Sequence, residues 1–214
     1  MRQKIRSYLV FAPFLYKAVM LIIVPVVLLG LQVLSAAVFQ GTGMPLFIVI
    51  LVLLEVVADN WFLGGIQEKN SEKIDYLKTS PMGMKIIAWA LTMDLVRRFL
   101  TAVCVYGLSD LILRVFGERE ALMSPGELLL AVLLTYVLSV LGTFICRFAS
   151  ILWLNLLCGY IGSIAGLLLF IVGGIMPGPV VAMMNIALAV LGGGLSVLAV
   201  KIAMLRMEGS YYDK

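Results

Sequence analysis

The sequence predicts an all-α integral membrane protein with six transmembrane helices. Apolar residues make up 63% of the 214 residues and charged residues 13%, whereas a soluble domain has about half and about a quarter. The apolar residues fall into six stretches, and a helix needs about 20 residues to cross a bilayer. These stretches are residues 18–39, 44–66, 85–116, 127–147, 149–172 and 180–201. They predict a single transmembrane domain, residues 1–214, with little chain left for a soluble one.

The first 17 residues predict an interfacial helix. Arg2, Lys4 and Arg6 lie on its polar side and apolar residues follow helical spacing on the other, as in helices that lie in the plane of a membrane surface. A signal peptide is the alternative, because the chain begins with basic residues. The apolar run at 18–39 is longer than the apolar part of an ordinary signal peptide, which favours a retained first span.

The distribution of basic residues predicts the orientation of the spans. With six spans and both termini in the cytoplasm, 14 of the 16 Lys and Arg residues lie on the inner side, and only Arg114 and Arg119 lie outside. Inner loops of membrane proteins carry an excess of basic residues. The opposite orientation violates this rule almost everywhere, so we expect cytoplasmic termini. The same topology places the polar connector at residues 68–84 in the cytoplasm.

This connector, EKNSEKIDYLKTSPMGM, is the longest polar stretch of the chain. Ser71 is a favourable N-cap residue for a short helix, and Pro81 disfavours helical geometry at the residue before it. Between them, Ile74 and Leu77 are three apart and share one face of that helix. A short capped helix with a small apolar face suits contact with a soluble partner. The alternative is a solvated loop that joins two spans, and the pattern alone leaves both open.

Six spans, an amphipathic N-terminal helix and a charged inner connector between spans 2 and 3 resemble the type-2 ABC exporter permeases. The connector of that family commonly reads as glutamates, Gly-Thr, an acid, leucines and Thr-Pro. Matching positions here are Glu68, Ile74, Asp75, Leu77, Ser80 and Pro81. The sequence departs from the pattern at Glu72 and Lys73, which replace Gly-Thr, and at Lys78, which replaces a leucine. The likeness is greatest to small single-domain permeases of bacterial peptide-toxin, bacteriocin or drug exporters.

The resemblance implies a transporter subunit of the bacterial cytoplasmic membrane and not an enzyme. Two permease chains, identical or different, would pair and form a path for an amphipathic or hydrophobic cargo. Each would dock a separate ABC ATPase on a coupling helix, and that ATPase would hold ATP and Mg. The sequence itself contains no Gly-x-x-x-x-Gly-Lys-Ser/Thr phosphate loop. The coupling residues expected from the resemblance are Glu68, Ser71, Glu72, Ile74, Asp75, Tyr76, Leu77, Ser80 and Pro81.

Two acids of the second span, Glu55 and Asp59, are four apart and share one helix face. Ionised acids inside a membrane are costly and usually face protein or water. One hypothesis is that they line the cargo path and attract a cationic or amphipathic cargo. The alternative is structural pairing with Arg97, Arg98 or Arg147.

The third span contains an acid followed by two arginines. Asp94 precedes Arg97 and Arg98 by three and four residues, a spacing that allows local ion pairs. Transmission of motion from the connector is one interpretation, and a cluster at the inner membrane boundary is the favoured alternative. Asp110 and Arg114 repeat the spacing at the outer end, and no function is predicted for them.

Glycines of the last two spans suggest close helix contacts. Gly162 and Gly166 form a GxxxG pattern, which permits close approach of helices. Packing within one chain is the default interpretation, and pairing between two permease chains is the alternative. The uncharged breakers at 173–179 predict an outer turn or a short re-entrant element, and their lack of charge favours re-entrance.

Motifs that the sequence lacks argue against several other function classes. It has no histidine and no HExxH motif, which argues against a metal site and against a membrane enzyme of lipid metabolism or proteolysis. Its three cysteines lie in apolar runs and indicate neither a zinc site nor a disulfide framework. The excess of basic residues is explained by their predicted position on the inner side of the membrane. It therefore predicts contact with a lipid bilayer and not with nucleic acid. A motor-less immunity or assembly protein and a substrate-binding uptake subunit remain as alternatives.

Overall fold

The computed structural model describes residues 3, 8, 9, 12, 14–39, 43–67, 82–116, 123–148 and 152–212. All of its described elements are helical, which confirms the predicted all-α class. The first helical segment consists of α1 (Phe14–Ala18), a π-helical turn (Val19–Ile23) and α2 (Val24–Phe39). It is followed by α3 (Met44–Gln67), α4 (Gly83–Phe116), α5 (Pro125–Phe148), α6 (Leu152–Ile175) and α7 (Gly178–Tyr212).

Helices lie over each of the six predicted stretches. Four stretches of the described chain are long and apolar enough to cross a membrane: Phe14–Ser35, Pro125–Phe144, Trp153–Ile175 and Gly178–Leu205. The chain is therefore a multi-pass membrane protein. Its first candidate span begins at Phe14, inside the predicted interfacial helix, because the apolar face of that segment continues into the span.

Large apolar side chains cover the outer surface of the helices at the edge of the bundle. Ile22, Trp153, Met183 and Val190 expose more than half of their surface. Exposed apolar surface of this extent is not found on soluble monomers, and in a membrane it contacts lipid tails or other helices.

Helix α5 lies at the centre of the bundle. It packs against α3, α4, α6 and α7, and its residues from Leu130 to Val140 are nearly all buried. Helix α3 also packs against α6, and α2 packs against α4. This arrangement places the polar side chains of α3 and α4 in the protein interior.

Two glycines bring α6 close to the central helix. A Cβ atom at Gly166 would collide with Cδ1 of Leu138, and one at Gly173 would lie 2.5 Å from Cδ2 of Leu130. Neither position has space for a side chain unless a neighbour moves, so small residues here permit close helix packing.

The N-terminal segment has a buried face whose members are spaced four apart. A regular α-helix turns every 3.6 residues, so a four-residue spacing drifts around its axis. The π-helical turn at Val19–Ile23 is wider and corrects for this drift, so one face stays in contact with the bundle. Its members are Tyr8, Ala12, Tyr16, Met20, Val24, Leu28 and Gln32.

Side chains fix the ends of two helices. At the start of α5, the Ser124 amide donates to Glu127 Oε2 (2.8 Å) and the Glu127 amide donates to Ser124 Oγ (3.3 Å). This reciprocal arrangement is a capping box, which stabilises the start of a helix. The Gly43 amide, one residue before α3, donates to Oε1 of Gln32 in the interior of α2 at 3.1 Å, which ties the start of α3 to α2.

The breaker cluster does not form a re-entrant element. Helix α6 continues through Gly173 and Gly174 to Ile175, and α7 begins at Gly178, which leaves a two-residue turn. The glycines are accommodated in the helix because Gly173 faces α5, and the expectation of re-entrance is wrong.

Candidate functional site

Five ionisable side chains of α3 and α4 meet in the interior of the bundle. They are Glu55 and Asp59 of α3 and Asp94, Arg97 and Arg98 of α4, and we call them the charge cluster. None exposes more than 6% of its surface. The four-residue spacing on α3 and the three- and four-residue spacings on α4 put each set on one helix face. Because the two faces meet, charged residues that are far apart along the chain contact one another.

Arg97 links the two helices through both edges of its guanidinium. Its Nη1 and Nη2 donate to the two oxygens of Glu55 at 2.9 and 2.5 Å. Its Nε donates to Asp94 Oδ1 at 3.0 Å. The bidentate geometry with Glu55 is the arrangement that makes arginine–carboxylate contacts strong and directional. All three nitrogens of the Arg97 guanidinium therefore bind carboxylates inside the chain.

Arg98 joins three helices. Its Nε and Nη2 donate to Asp94 Oδ2 at 3.0 and 2.8 Å, and Nη2 also contacts Asp59 Oδ1 in α3. Its Nη1 donates to the Ser139 carbonyl and to Thr143 Oγ1 of α5, both at 2.9 Å. The guanidinium thus connects α3, α4 and the central helix α5.

The N-terminal segment completes the cluster through Tyr16. The Tyr16 hydroxyl donates to Asp94 Oδ1 at 2.6 Å. The Arg97 guanidinium carbon lies 5.5 Å from the centre of the Tyr16 ring, within the range of a cation–π contact. Asp94 thereby accepts hydrogen bonds from Tyr16, Arg97 and Arg98, and it is the residue at which the N-terminal segment and α4 meet.

A small cavity adjoins the charge cluster on the side of Leu51 and Thr101. It has a volume of about 10 Å³, which is close to the space that one water molecule needs. Its polar lining consists of Glu55, Arg98, Thr101, Thr135, Tyr136 and Ser139.

The polar lining of the cavity is connected by hydrogen bonds to further hydroxyls of α4 and α7. Thr135 Oγ1 and the Tyr106 hydroxyl lie 2.9 Å apart, and the Tyr136 hydroxyl lies 2.6 Å from Ser196 Oγ. These hydroxyls satisfy one another across α4, α5 and α7, so the polar interior is not confined to the five charges.

The structure pairs both acids that the sequence offered as cargo-path candidates. Glu55 binds Arg97 and Asp59 contacts Arg98, which is the structural pairing that was left open as the alternative. Both acids are closed off inside the chain in this conformation. A cargo could reach them only if the surrounding helices separated.

Sequence reasoning underestimated Asp94 and missed Tyr16. The spacing of Asp94 to Arg97 and Arg98 indicated a local pair, and these contacts are present, but the pairing with α3 makes the set a shared core. Tyr16 lies 78 residues from Asp94 along the chain. Its four-residue spacing with Ala12 and Met20 was the available signal.

The GxxxG pattern splits into two different environments. Gly166 faces Leu138 of α5 and Ile48 of α3, so it serves packing within the chain. At Gly162 a Cβ atom would have nothing within 4 Å. Pairing of two chains through both glycines is therefore not available in this packing, whereas Gly162 alone has space for a side chain.

The proposed coupling residues lie outside the residues that the structure describes. They are Glu68, Ser71, Glu72, Ile74, Asp75, Tyr76, Leu77, Ser80 and Pro81. The coupling helix thus stays a prediction. Its two neighbours along the chain are α3, which ends at Gln67, and α4, which begins at Gly83.

Within the described ranges, no group of three or more His, Cys, Asp or Glu side chains is arranged to hold a metal ion. Cys104 and Cys158 are free thiols, exposed and half-buried respectively. In the charge cluster, the carboxylates lie against the guanidiniums of Arg97 and Arg98.

Comparison of the chain with protein-family models, with curated proteins and with solved structures gave no match. A functional proposal therefore rests on the sequence pattern and on the geometry of the charge cluster.

Proposed function

We propose that this chain is the membrane-spanning subunit of an ATP-driven exporter of the type-2 ABC class. In this proposal six spans lie in a bacterial cytoplasmic membrane with both termini in the cytoplasm. Two permease chains pair, and each binds a separate ABC ATPase through the connector at residues 68–84. The cargo is an amphipathic or hydrophobic molecule such as a peptide toxin, a bacteriocin or a drug.

The observation that carries the proposal is the position of the charge cluster relative to the connector. Helices α3 and α4 flank the connector, and they are the two helices that supply all five charges. Asp59 precedes the end of α3 by eight residues and Asp94 follows the start of α4 by eleven. At about 1.5 Å per residue, the cluster lies about 12–17 Å along the helices from the connector.

This arrangement suits transmission of force. A movement imposed on the connector would act on both flanking helices at once. Because Arg98 holds α5 and Tyr16 holds the N-terminal segment, these elements would move with α3 and α4 as one unit. Rearrangement of packed elements as rigid bodies is the usual form of such transitions. A connector that merely joined two spans would need no such rigid attachment.

The sequence supports the need for a separate motor and the orientation of the connector. It contains no phosphate loop for ATP binding, so an ATP-driven cycle requires another chain that holds ATP and Mg. The predicted inner location of 14 of the 16 basic residues supports a connector on the side where ATP is available.

The docking site is tested by affinity purification of the full chain from native membranes. Leu77→Asp puts a charge on the predicted apolar face of the connector, so we expect loss of the co-purifying ATPase. Lys78→Gln changes the charge of the next residue without changing that face and is the matched control, for which we expect retention. Equal ATPase recovery with both variants would contradict docking at this face.

A further inference from the structure

The charge cluster contains three carboxylates and two guanidiniums. If all five groups are ionised, one negative charge remains uncompensated among the described side chains. An unpaired charge that is buried away from water is far more costly than a buried neutral polar group. The cluster therefore requires one additional positive charge, or one of its carboxylates must be neutral.

The hydrogen bonds identify which carboxylate is least stabilised as an anion. Both oxygens of Glu55 accept from Arg97, and the two oxygens of Asp94 accept from Tyr16, Arg97 and Arg98. Asp59 contacts Arg98 through Oδ1 alone. Its Oδ2 is buried and has no hydrogen-bond partner among the residues that the structure describes.

The geometry points to Asp59 as a proton-binding site: its carboxyl holds one proton on Oδ2 while the helices are packed as described. Glu55 and Asp94 then balance Arg97 and Arg98, and Asp59 accepts the Arg98 hydrogen bond as a neutral acid. A metal cation is a poorer fit because hard metal ions take six or more oxygen ligands, whereas a single free carboxylate oxygen lies here.

The groups around Asp59 support a proton and not a second ion pair. From α3 it is faced by Glu55, and from α4 by Asp94, Arg97 and Arg98, which already bind one another. Among the residues that the structure describes, the α5 groups at the cluster are the Ser139 carbonyl and the Thr143 hydroxyl, which are both neutral. The titratable groups on the buried face of the N-terminal segment are Tyr8 and Tyr16, and the Tyr16 hydroxyl donates to Asp94.

This inference is independent of the ATPase, because it concerns the resting protein. It adds one consequence to a transport cycle. If water enters the cluster during that cycle, the cost of a fifth charge falls, and Asp59 releases its proton. Proton binding at an acid inside a membrane protein is a known use of such residues.

Infrared spectroscopy of the full chain in lipid nanodiscs at neutral pH detects the proton directly. We expect a C=O stretch of a protonated carboxyl that shifts when aspartate is labelled with ¹³C in its side chain and that is lost in Asp59→Asn. A wild-type spectrum without this band, or a band that ¹³C-aspartate does not shift, would overturn the inference. The ¹³C label identifies the band as an aspartate band. It is needed because substitution of Glu55 or Asp94 also changes the charge balance of the cluster and so can also remove the band.

Thermal unfolding gives a second measurement. Asparagine has nearly the shape of a protonated aspartic acid, so Asp59→Asn should change the melting temperature by less than about 2 °C, which corresponds to less than about 1 kcal/mol for a chain of this length. Glu55→Gln removes an ionised partner of Arg97 and should lower the melting temperature several-fold more than Asp59→Asn does. A loss of folding in Asp59→Asn, or a fall as large as that of Glu55→Gln, would show that Asp59 is ionised and would refute the proton site.

Discussion

Two arginines of α4 each follow an aspartate by four residues, yet they should differ greatly in their contribution to stability. Arg98 follows Asp94 by four residues and Arg114 follows Asp110 by four, and each pair forms a salt bridge at 2.8 Å. The Arg98 side chain is 2% exposed and the Arg114 side chain 55% exposed. Substitution of each arginine by methionine keeps the length of the side chain and removes its charge.

The structure sets the expected magnitude for each variant. Arg98→Met leaves a buried set of acids with one guanidinium and also removes the hydrogen bonds to α5. Breaking a buried ion pair by removing one partner costs about 3–5 kcal/mol. Arg114→Met removes an exposed pair, which is worth about 0–1 kcal/mol. Since 1 kcal/mol shifts the melting temperature of a chain of this length by about 2–4 °C, we expect a fall of about 6–20 °C for Arg98→Met and at most about 4 °C for Arg114→Met.

Both variants are assayed by thermal unfolding of the full chain in the same detergent, with helix content followed by circular dichroism. A cluster that holds α3, α4 and α5 together requires the large difference. Equal melting temperatures for the two variants would refute the reasoning, because they would show that the buried contacts of Arg98 contribute no more than an exposed pair.

Four further substitutions test the packing and the capping of the helices. Gly166→Ala introduces a Cβ against α5 and should cost about 1–3 kcal/mol of folding free energy, whereas Gly162→Ala, with open space around it, should be neutral. Tyr16→Phe keeps the ring but removes the hydroxyl that donates to Asp94, and we expect a loss of about 1.5–3 kcal/mol because that bond has a charged acceptor. Ser124→Ala removes the N-cap of α5 and should cost about 1 kcal/mol.

The same unfolding assay checks these four substitutions, and a contrary result is defined for the glycine pair and for each of the other two. Equal effects at the two glycines would contradict packing of α6 on α5 through one of them only. A neutral Tyr16→Phe would show that the N-terminal segment is held by its apolar face alone. A loss well above 1 kcal/mol for Ser124→Ala would mean that its hydroxyl does more than cap the helix.

The helices were predictable because their signals are local. Apolar stretches of sufficient length place six helical regions in the right order, and the structure has helices over each of them. The breaker glycines misled because Gly173 and Gly174 were read as chain breakers, whereas a glycine in a membrane helix also serves close packing, as Gly173 does against α5.

The charge cluster was only partly predictable because it depends on which helix faces meet. The sequence placed Glu55 and Asp59 on one face and offered Arg97 and Arg98 as partners, yet it could not decide between a cargo path and pairing. It also could not separate Asp94–Arg98 from Asp110–Arg114, since burial and not spacing distinguishes them. Tyr16 reaches the cluster through tertiary packing, for which local spacing gives little information.

The central claim is that this membrane bundle is driven by a nucleotide-hydrolysing subunit that it does not contain. Its most direct test is to purify the tagged chain from native membranes under mild conditions, measure ATP hydrolysis and identify the attached polypeptides. The account predicts ATP hydrolysis by a separate soluble chain in stoichiometric association. A preparation that retains its native partners and neither hydrolyses ATP nor contains an ATPase would contradict it.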